Sequence, residues 1–211
     1  MPEAPEVEVM TQNLQKFIGK TIKEITIDKN KRYLGPDQIV KTLGQKINGV
    51  FRRGKFMVFM LDRGAILAHN AMSGYWDTVD EPWTFDYVEG KRVSKDSDVR
   101  AMFFLEDGRV IRFHDARKFG FLQYLEPAEL AKKLSKLGPE MLLSENTYEP
   151  ANLVRDAIQF ADIVNKKKPV KEILMNQDYL TGIGNIYAAE ALWQACVSPH
   201  RLGSSLTTTE A

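Results

Sequence analysis

The chain begins Met1-Pro2-Glu3, which places a proline and a neighbouring carboxylate at the N-terminus, where a free amine can act as a nucleophile. Removal of Met1, which is common before a residue as small as proline, would leave Pro2 as a free secondary amine. An α-amino group has a pKa of about 7.7–8.0, so a useful fraction is an unprotonated nucleophile near neutral pH. Its attack on a sugar C1′ or a carbonyl carbon gives an iminium, which is an electron sink. The alternative is that these residues only begin a helix.

Four further stretches combine cations, apolar or aromatic side chains, and glycine turns. They are RRGK at 52–55, HNAMSG at 69–74, DARKFG at 115–120 and QDYLTGIGNIY at 177–187. Each stretch also has a purely structural explanation, as a solvated loop, a part of the hydrophobic core or a turn between helices. Their occurrence together with the N-terminal proline favours a functional interpretation.

The pattern of apolar residues predicts the elements that position these stretches. Residues 5–17 carry an apolar stripe at helical spacing that Gly19 ends. Between residues 21 and 125, short apolar segments joined by Asp/Gly turns predict an antiparallel sandwich or barrel. Beyond Pro127 the pattern is helical, with predicted segments at 127–137, 150–164, 170–175 and 186–195. We therefore predict an α+β protein with a β-rich domain at 1–125 and an α-helical domain at 126–211.

Composition narrows the function classes. The chain has 211 residues and a formal net charge of +1, which neither requires nor excludes nucleic acid. It contains no apolar run that could span a bilayer and no charged-then-apolar leader, so we expect an intracellular protein without a membrane partner. Cys196 is the only cysteine, which excludes a disulfide framework and a cysteine zinc site within these residues. Its apolar neighbours predict a small buried side chain.

Taken in order, the PEAPEVE, RRGKF, HNAMSG, DARKFG and GIGNIYAAEALW segments resemble the bacterial formamidopyrimidine-DNA glycosylase family, whose relatives include the endonuclease VIII enzymes. The resemblance extends over nearly the whole chain. It implies an N-terminal antiparallel β-sandwich that begins with a helix, followed by an all-α helix–two-turns–helix domain. The implied activity is base-excision repair of oxidised purines, by a glycosylase that is also an apurinic/apyrimidinic lyase. The alternatives are endonuclease VIII-like action on oxidised pyrimidines and a catalytically impaired DNA- or damage-binding protein.

The resemblance also implies roles for individual residues. Pro2 matches the nucleophile, Glu3 the acid/base residue, and Glu6 a supporting carboxylate. Lys55, grouped with the catalytic residues, matches a phosphate-binding position, as does His69. Met72, Arg117 and Phe119 match DNA-binding positions that fill the space left by a flipped nucleotide. Asn185 matches a further DNA-binding position.

The implied partner is damaged double-stranded DNA, bound by a monomer without a cofactor in this chain. Family members normally continue into a C-terminal zinc finger, which we expect to be absent here. Thr207 and Glu210 form a capping-box pattern that predicts the start of a helix at the end of the chain. Because the resemblance gives the zinc finger an arginine that grips the phosphates at the lesion, its absence predicts weaker binding to DNA. The lysine run at 166–171 is either a solvated face or an additional attraction for phosphate.

Overall fold

The computed structural model describes residues 1–79, 85–88, 91–94, 96–148, 166–207 and 210, with backbone alone at 85–88 and 91–94. The five α-helices of this part are α1 (Ala4–Leu14), α2 (Pro36–Thr42), α3 (Pro127–Leu134), α4 (Val170–Met175) and α5 (Asn185–Gln194). The strands are β1 (Ile22–Ile27), β2 (Ile47–Arg53), β3 (Phe56–Leu61), β4 (Gly64–His69), β5 (Tyr75–Val79), β6 (Phe85–Val88), β7 (Lys91–Ser94), β8 (Val99–Leu105), β9 (Val110–His114) and β10 (Phe121–Leu125). The helix predicted at 150–164 lies outside the described residues.

Two four-stranded antiparallel sheets form the N-terminal part, with strand orders β1-β8-β9-β5 and β10-β4-β3-β2. The hairpins expected from the Asp/Gly turns are present, with β3 joined to β4 and β8 joined to β9. Alternate side chains of each sheet point into one shared core, to which Phe59, Trp76, Phe103 and Phe113 contribute. The predicted sandwich is therefore confirmed.

Helix α1 closes one side of this core. Pro5 lies in its first turn, and the backbone N–H of Glu3 donates to the Glu6 carboxylate at 2.9 Å, which is the reciprocal half of a capping box. Val7 and Leu14 are buried on the face that packs against the sheets. The predicted N-terminal helix is confirmed, and it holds the first residues of the chain beside the sandwich.

The helical part has a separate core in which α4 and α5 pack together. Its buried residues are Val170, Ile173, Leu174, Leu180, Ala188, Leu192 and Val197. Helix α3 packs elsewhere, because Leu130 and Leu134 cover the outer face of the second sheet. The division of the chain into domains at residue 125 stays a prediction. Among the described residues, no helix is long and apolar enough to cross a membrane.

A buried ionic network joins β2 to the segment that follows α3. The Arg52 guanidinium is fully buried and donates to Glu8 at 2.8 Å and to Glu140 at 2.6 Å. Arg53 also donates to Glu140, at 2.9 Å, and to the carbonyl oxygen of Gly138 at 2.7 Å. Burial raises the pKa of Glu8, but hydrogen bonds from Asn146 and Arg52 outweigh this effect and lower the pKa overall. Two of the three cations of the RRGK stretch are therefore buried in this network and do not belong to a solvated loop, which was the structural alternative for that stretch.

The prediction that Cys196 is a buried side chain is wrong. Helix α5 ends at Gln194, and Cys196 adopts the left-handed conformation with φ of 55°. The N–H of Val197 returns to the Leu192 carbonyl oxygen at 2.9 Å, a bond typical of a Schellman motif. This reversal buries Val197 in the helical core and leaves Cys196 exposed.

We expect Glu140→Ala to lower the free energy of unfolding by about 3–5 kcal/mol, because it leaves two buried guanidinium groups without their shared carboxylate. Glu145→Ala removes an exposed carboxylate from the same segment and is the matched control. Urea denaturation of both variants measures the difference. Equal stability of the two variants would show that the network contributes nothing.

Candidate active site

The carboxylate of Glu3 is the most constrained group near the N-terminus. It is 1% exposed and accepts three backbone N–H groups at the start of α5, from Gly184 at 2.7 Å, Ile186 at 2.8 Å and Tyr187 at 3.2 Å. A helix N-terminus has unpaired N–H donors and a partial positive charge, so it compensates a buried carboxylate. The contact joins residue 3 to the helical part of the chain.

Glu6 adds a second connection between the same two segments. One of its oxygens accepts the Glu3 backbone N–H at 2.9 Å, and the other accepts the Tyr187 hydroxyl at 2.9 Å. The bond to Glu6 raises the pKa of Tyr187. Glu6 thus supports the backbone beside Pro2, which is partly buried, while Met1 is exposed. Sequence reasoning had not assigned Tyr187 to the site, although it lies in the quoted glycine-turn motif.

The glycines of this turn are required by close packing. A Cβ on Gly184 would lie 2.5 Å from the Glu3 carboxyl group. Gly182 has φ of 102°, and a Cβ there would lie 2.8 Å from the Cβ of Ala4. The N–H of Ala4 also donates to the Gly182 carbonyl oxygen at 3.0 Å. The turn can therefore approach the N-terminal residues only because side chains are absent at these two positions.

Lys55 is the cation that the β2–β3 turn presents to the site. It is 9% exposed, and among the described residues no hydrogen bond or ion pair engages its ammonium group. Burial lowers the pKa of Lys55, while the nearby charge of Glu3 raises it in part. The turn reaches the helical part through Gly54, whose Cβ would lie 2.3 Å from the Thr181 hydroxyl oxygen. The structure thus brings Lys55 close to the N-terminal residues.

His69 is a neutral donor in this structure. Burial is the main cause that lowers its pKa to about 4, and the charges of Lys55 and Lys133 lower it further. Its Nδ1 accepts the backbone N–H of Ala71 at 3.1 Å, so the proton of the neutral ring lies on Nε2. His69 can therefore hydrogen-bond an anion without adding charge.

Two exposed loops carry the predicted space-filling residues. Met72 is 49% exposed at the tip of the loop after β4, and Phe119 is 46% exposed between β9 and β10. The Arg117 guanidinium lies 4.8 Å from the centre of the Phe119 ring. Large apolar side chains at this exposure are poorly placed for a core role.

Asp115 connects these two loops, and sequence reasoning did not single it out. Its buried carboxylate accepts the Ser73 hydroxyl at 2.8 Å, the Gly120 N–H at 2.7 Å and the Tyr33 hydroxyl at 3.2 Å. Ser73 in turn accepts the backbone N–H of Arg117 at 3.2 Å. The position of Asp115 at the start of the DARKFG segment was the one sequence signal that could have indicated this role.

The remaining predicted residues also have defined positions. Asn185 is the first residue of α5 and is exposed beside the Glu3 contact. In the lysine run, Lys166 lies 4.8 Å from the Tyr179 ring centre, whereas Lys167 and Lys168 are exposed. Within the described ranges, no three His, Cys, Asp or Glu side chains are grouped to hold a metal ion.

Two family models match the chain in the same order as its two structural parts. The formamidopyrimidine-DNA glycosylase N-terminal domain matches residues 1–122, and the H2TH (helix–two-turns–helix) domain of the same family matches residues 137–211. The chain belongs to the formamidopyrimidine-DNA glycosylase family. This confirms the family that the sequence motifs indicated and the order of its domains.

Individual relatives agree with this assignment. The formamidopyrimidine-DNA glycosylase of Aliivibrio fischeri is 35% identical over 216 residues, which cover 100% of this chain and 71% of that protein. The MutM (Fpg) protein of Thermus thermophilus is 33% identical, with a TM-score of 0.73 over 99% of this chain and 70% of that one. The Lactococcus lactis Fpg, solved with DNA containing an abasic site, is 26% identical, with a TM-score of 0.79 over 99% and 72% of the chains.

We expect Gly184→Ala to separate the N-terminus from α5, because the added methyl group overlaps the Glu3 carboxyl group. Amide exchange at Ile186 and Tyr187 should become faster, and the melting temperature should fall. Gly35→Ala is the control, since a Cβ there meets nothing within 4 Å. Unchanged exchange at these two amides would contradict the close contact.

Proposed function

We propose that this protein is a bifunctional DNA glycosylase and apurinic/apyrimidinic lyase of base-excision repair that acts on oxidised purines through Pro2. The observation that carries the proposal is the attachment of Glu3 to the start of α5, with Lys55 close by. This contact holds Glu3, the residue next to Pro2, against the helical part of the protein. A nucleotide bound there would meet an amine, a carboxylate and a cation.

The proposed reaction begins after Met1 has been removed. The Pro2 nitrogen attacks C1′ of the damaged nucleotide, the C1′–base bond breaks, and the base leaves after gaining a proton. The Pro2 nitrogen then loses its proton, and O4′ gains a proton as the C1′–O4′ bond breaks, which opens the sugar ring and leaves a cationic iminium between the Pro2 nitrogen and C1′. The iminium acidifies C2′–H, so removal of a C2′ proton breaks the C3′–O bond by β-elimination. A second elimination breaks the C5′–O bond, and water then releases Pro2.

Glu3 and Lys55 serve this sequence in different ways. Glu3 moves protons beside the reacting sugar, a general acid–base role. The Lys55 ammonium holds a phosphate of the damaged strand, and burial strengthens that attraction because water screens it less. His69 and Asn185 add neutral hydrogen bonds to the backbone. The proposal places no step on zinc, since one cysteine cannot supply the family's four-cysteine site.

The exposed loops fit the need to extract a nucleotide from the duplex. An enzyme that attacks C1′ must flip the damaged nucleotide out of the base stack. Met72 and Phe119 would then replace the lost stacking, and Arg117 would hydrogen-bond the unpaired base. The Lactococcus lactis relative, bound to abasic-site DNA, supports damaged duplex DNA as the partner. We further propose that the protein acts as an intracellular monomer.

Borohydride reduction on a duplex with an abasic site should trap a covalent complex with the protein that begins at Pro2. The attached peptide should map to Pro2, and a form with an uncleaved N-terminal tag should give no complex because its Pro2 nitrogen is an amide. A complex at Lys55, or none with the correct N-terminus, would overturn the proposal. Binding without any cleavage would identify a damage-binding protein instead. Comparison of 8-oxoguanine with thymine glycol duplexes would separate purine from pyrimidine preference.

Met72→Ala and Phe119→Ala should reduce excision of a paired lesion much more than strand cleavage at a pre-formed abasic site. Flipping costs a few kcal/mol for a paired base and least when the base is missing. Val40→Ala, at another exposed apolar residue, should change neither rate. Equal losses on both substrates would show that Met72 and Phe119 do not assist flipping.

A further inference from the structure

An aromatic cluster of Phe56, His69 and Phe121 lies on the outer face of the second sheet. The His69 ring is 5.1 Å from Phe56 and 5.8 Å from Phe121, measured between ring centres. Lys55 precedes Phe56 in the chain, and Lys133 of α3 lies over the Phe121 ring at 4.7 Å. The cluster therefore has a lysine at each end, of which the proposed reaction uses only Lys55.

Lys133 is held in place, and its charge is not neutralised. Its Nζ donates to the Gln123 side-chain oxygen at 2.8 Å, and burial lowers its pKa. No carboxylate in the described part of the chain forms an ion pair with it. Lys41, by contrast, pairs with Glu126 at 2.9 Å. The positive charge of Lys133 reaches His69, where it helps to lower the pKa of the imidazole.

A groove of about 880 Å³ opens beside Lys133 and Phe121. Its lining also includes the exposed cations Lys31 and Arg32. Asp28 and Asp37 line it as well, and Asp28 is paired with Lys118 at 3.1 Å. The groove thus offers an open space beside Phe121 of the aromatic cluster, lined by more lysine and arginine side chains than carboxylates.

We propose that Lys133 binds a phosphate of the DNA backbone beyond the phosphate held by Lys55. This inference rests on the proposed function and extends the contact with DNA along α3. A nucleic acid backbone presents phosphates in series, which suits two unpaired lysine charges on either side of a neutral imidazole donor. Lys133 is accordingly a binding residue outside the reacting centre.

The test is the salt dependence of binding to a 25-base-pair duplex that contains a tetrahydrofuran abasic analogue. Lys133→Gln should flatten the slope of log affinity against log salt by about 0.9, the value for one lost phosphate contact. Lys133→Arg should keep the original slope. The matched control is Lys132→Gln, which removes an exposed charge from the same helix and should leave the slope nearly unchanged. An unchanged slope for Lys133→Gln, or an equal change for both glutamine variants, would overturn the inference.

Shortened duplexes and an NMR titration complete the test. Two shortened duplexes, each trimmed on one side of the lesion, show where Lys133 binds. The change in salt slope caused by Lys133→Gln should disappear with one of them. If the change persists with both, Lys133 does not contact DNA beside the lesion. In free Lys133→Gln, the pKa of His69 should rise because one repelling charge is lost. An unchanged pKa would contradict the proximity of the two groups. Because borohydride trapping is scored separately, failure of the lyase proposal is distinguishable from failure at Lys133.

Discussion

A buried carboxylate needs compensation, and the carboxylate of Glu3 receives it from the first turn of a helix more than 180 residues away in the sequence. The three N–H groups of α5 that contact Glu3 would otherwise need solvent or another partner. This single contact fixes the N-terminus against the helical part, requires glycine at 184 and places Asn185 between two residues that bind Glu3. The arrangement of the candidate active site depends on it.

The ionic network around Glu140 lies next to this contact, because Glu140 pairs with Thr181 just before the glycine turn. Because Arg52 and Arg53 are committed to Glu8 and Glu140, the basic turn contributes only Lys55 to the site. A charge that is buried and unpaired attracts an anion more strongly than a solvated one. Lys133 is half-buried and has no ion-pair partner among the described residues, whereas Lys41 is paired with Glu126. Burial and pairing, more than net charge, therefore identify the cations that are available to a phosphate.

Local patterns predicted the elements well and the contacts between distant elements poorly. The apolar stripe of α1 and the Asp/Gly turns of the sandwich are local signals, and the family resemblance gave the order of the motifs. The Glu3–α5 contact and the Arg53–Glu140 pair join residues far apart in the sequence, which no local pattern reports. Cys196 was mispredicted because its apolar neighbours suggested burial, while the end of α5 turned it outward and buried Val197. Asp115 was overlooked because its partners belong to three separate segments.

We propose that Glu3, held by α5, moves protons for the reaction at Pro2. Single-turnover excision by Glu3→Gln, measured beside its affinity for a duplex with an abasic analogue, tests this claim most directly. The account predicts a rate lower by about 10²-fold or more, the range of general acid–base catalysis, with an affinity within about threefold of the original protein. An unchanged rate, or a loss of rate fully matched by loss of affinity, would contradict it.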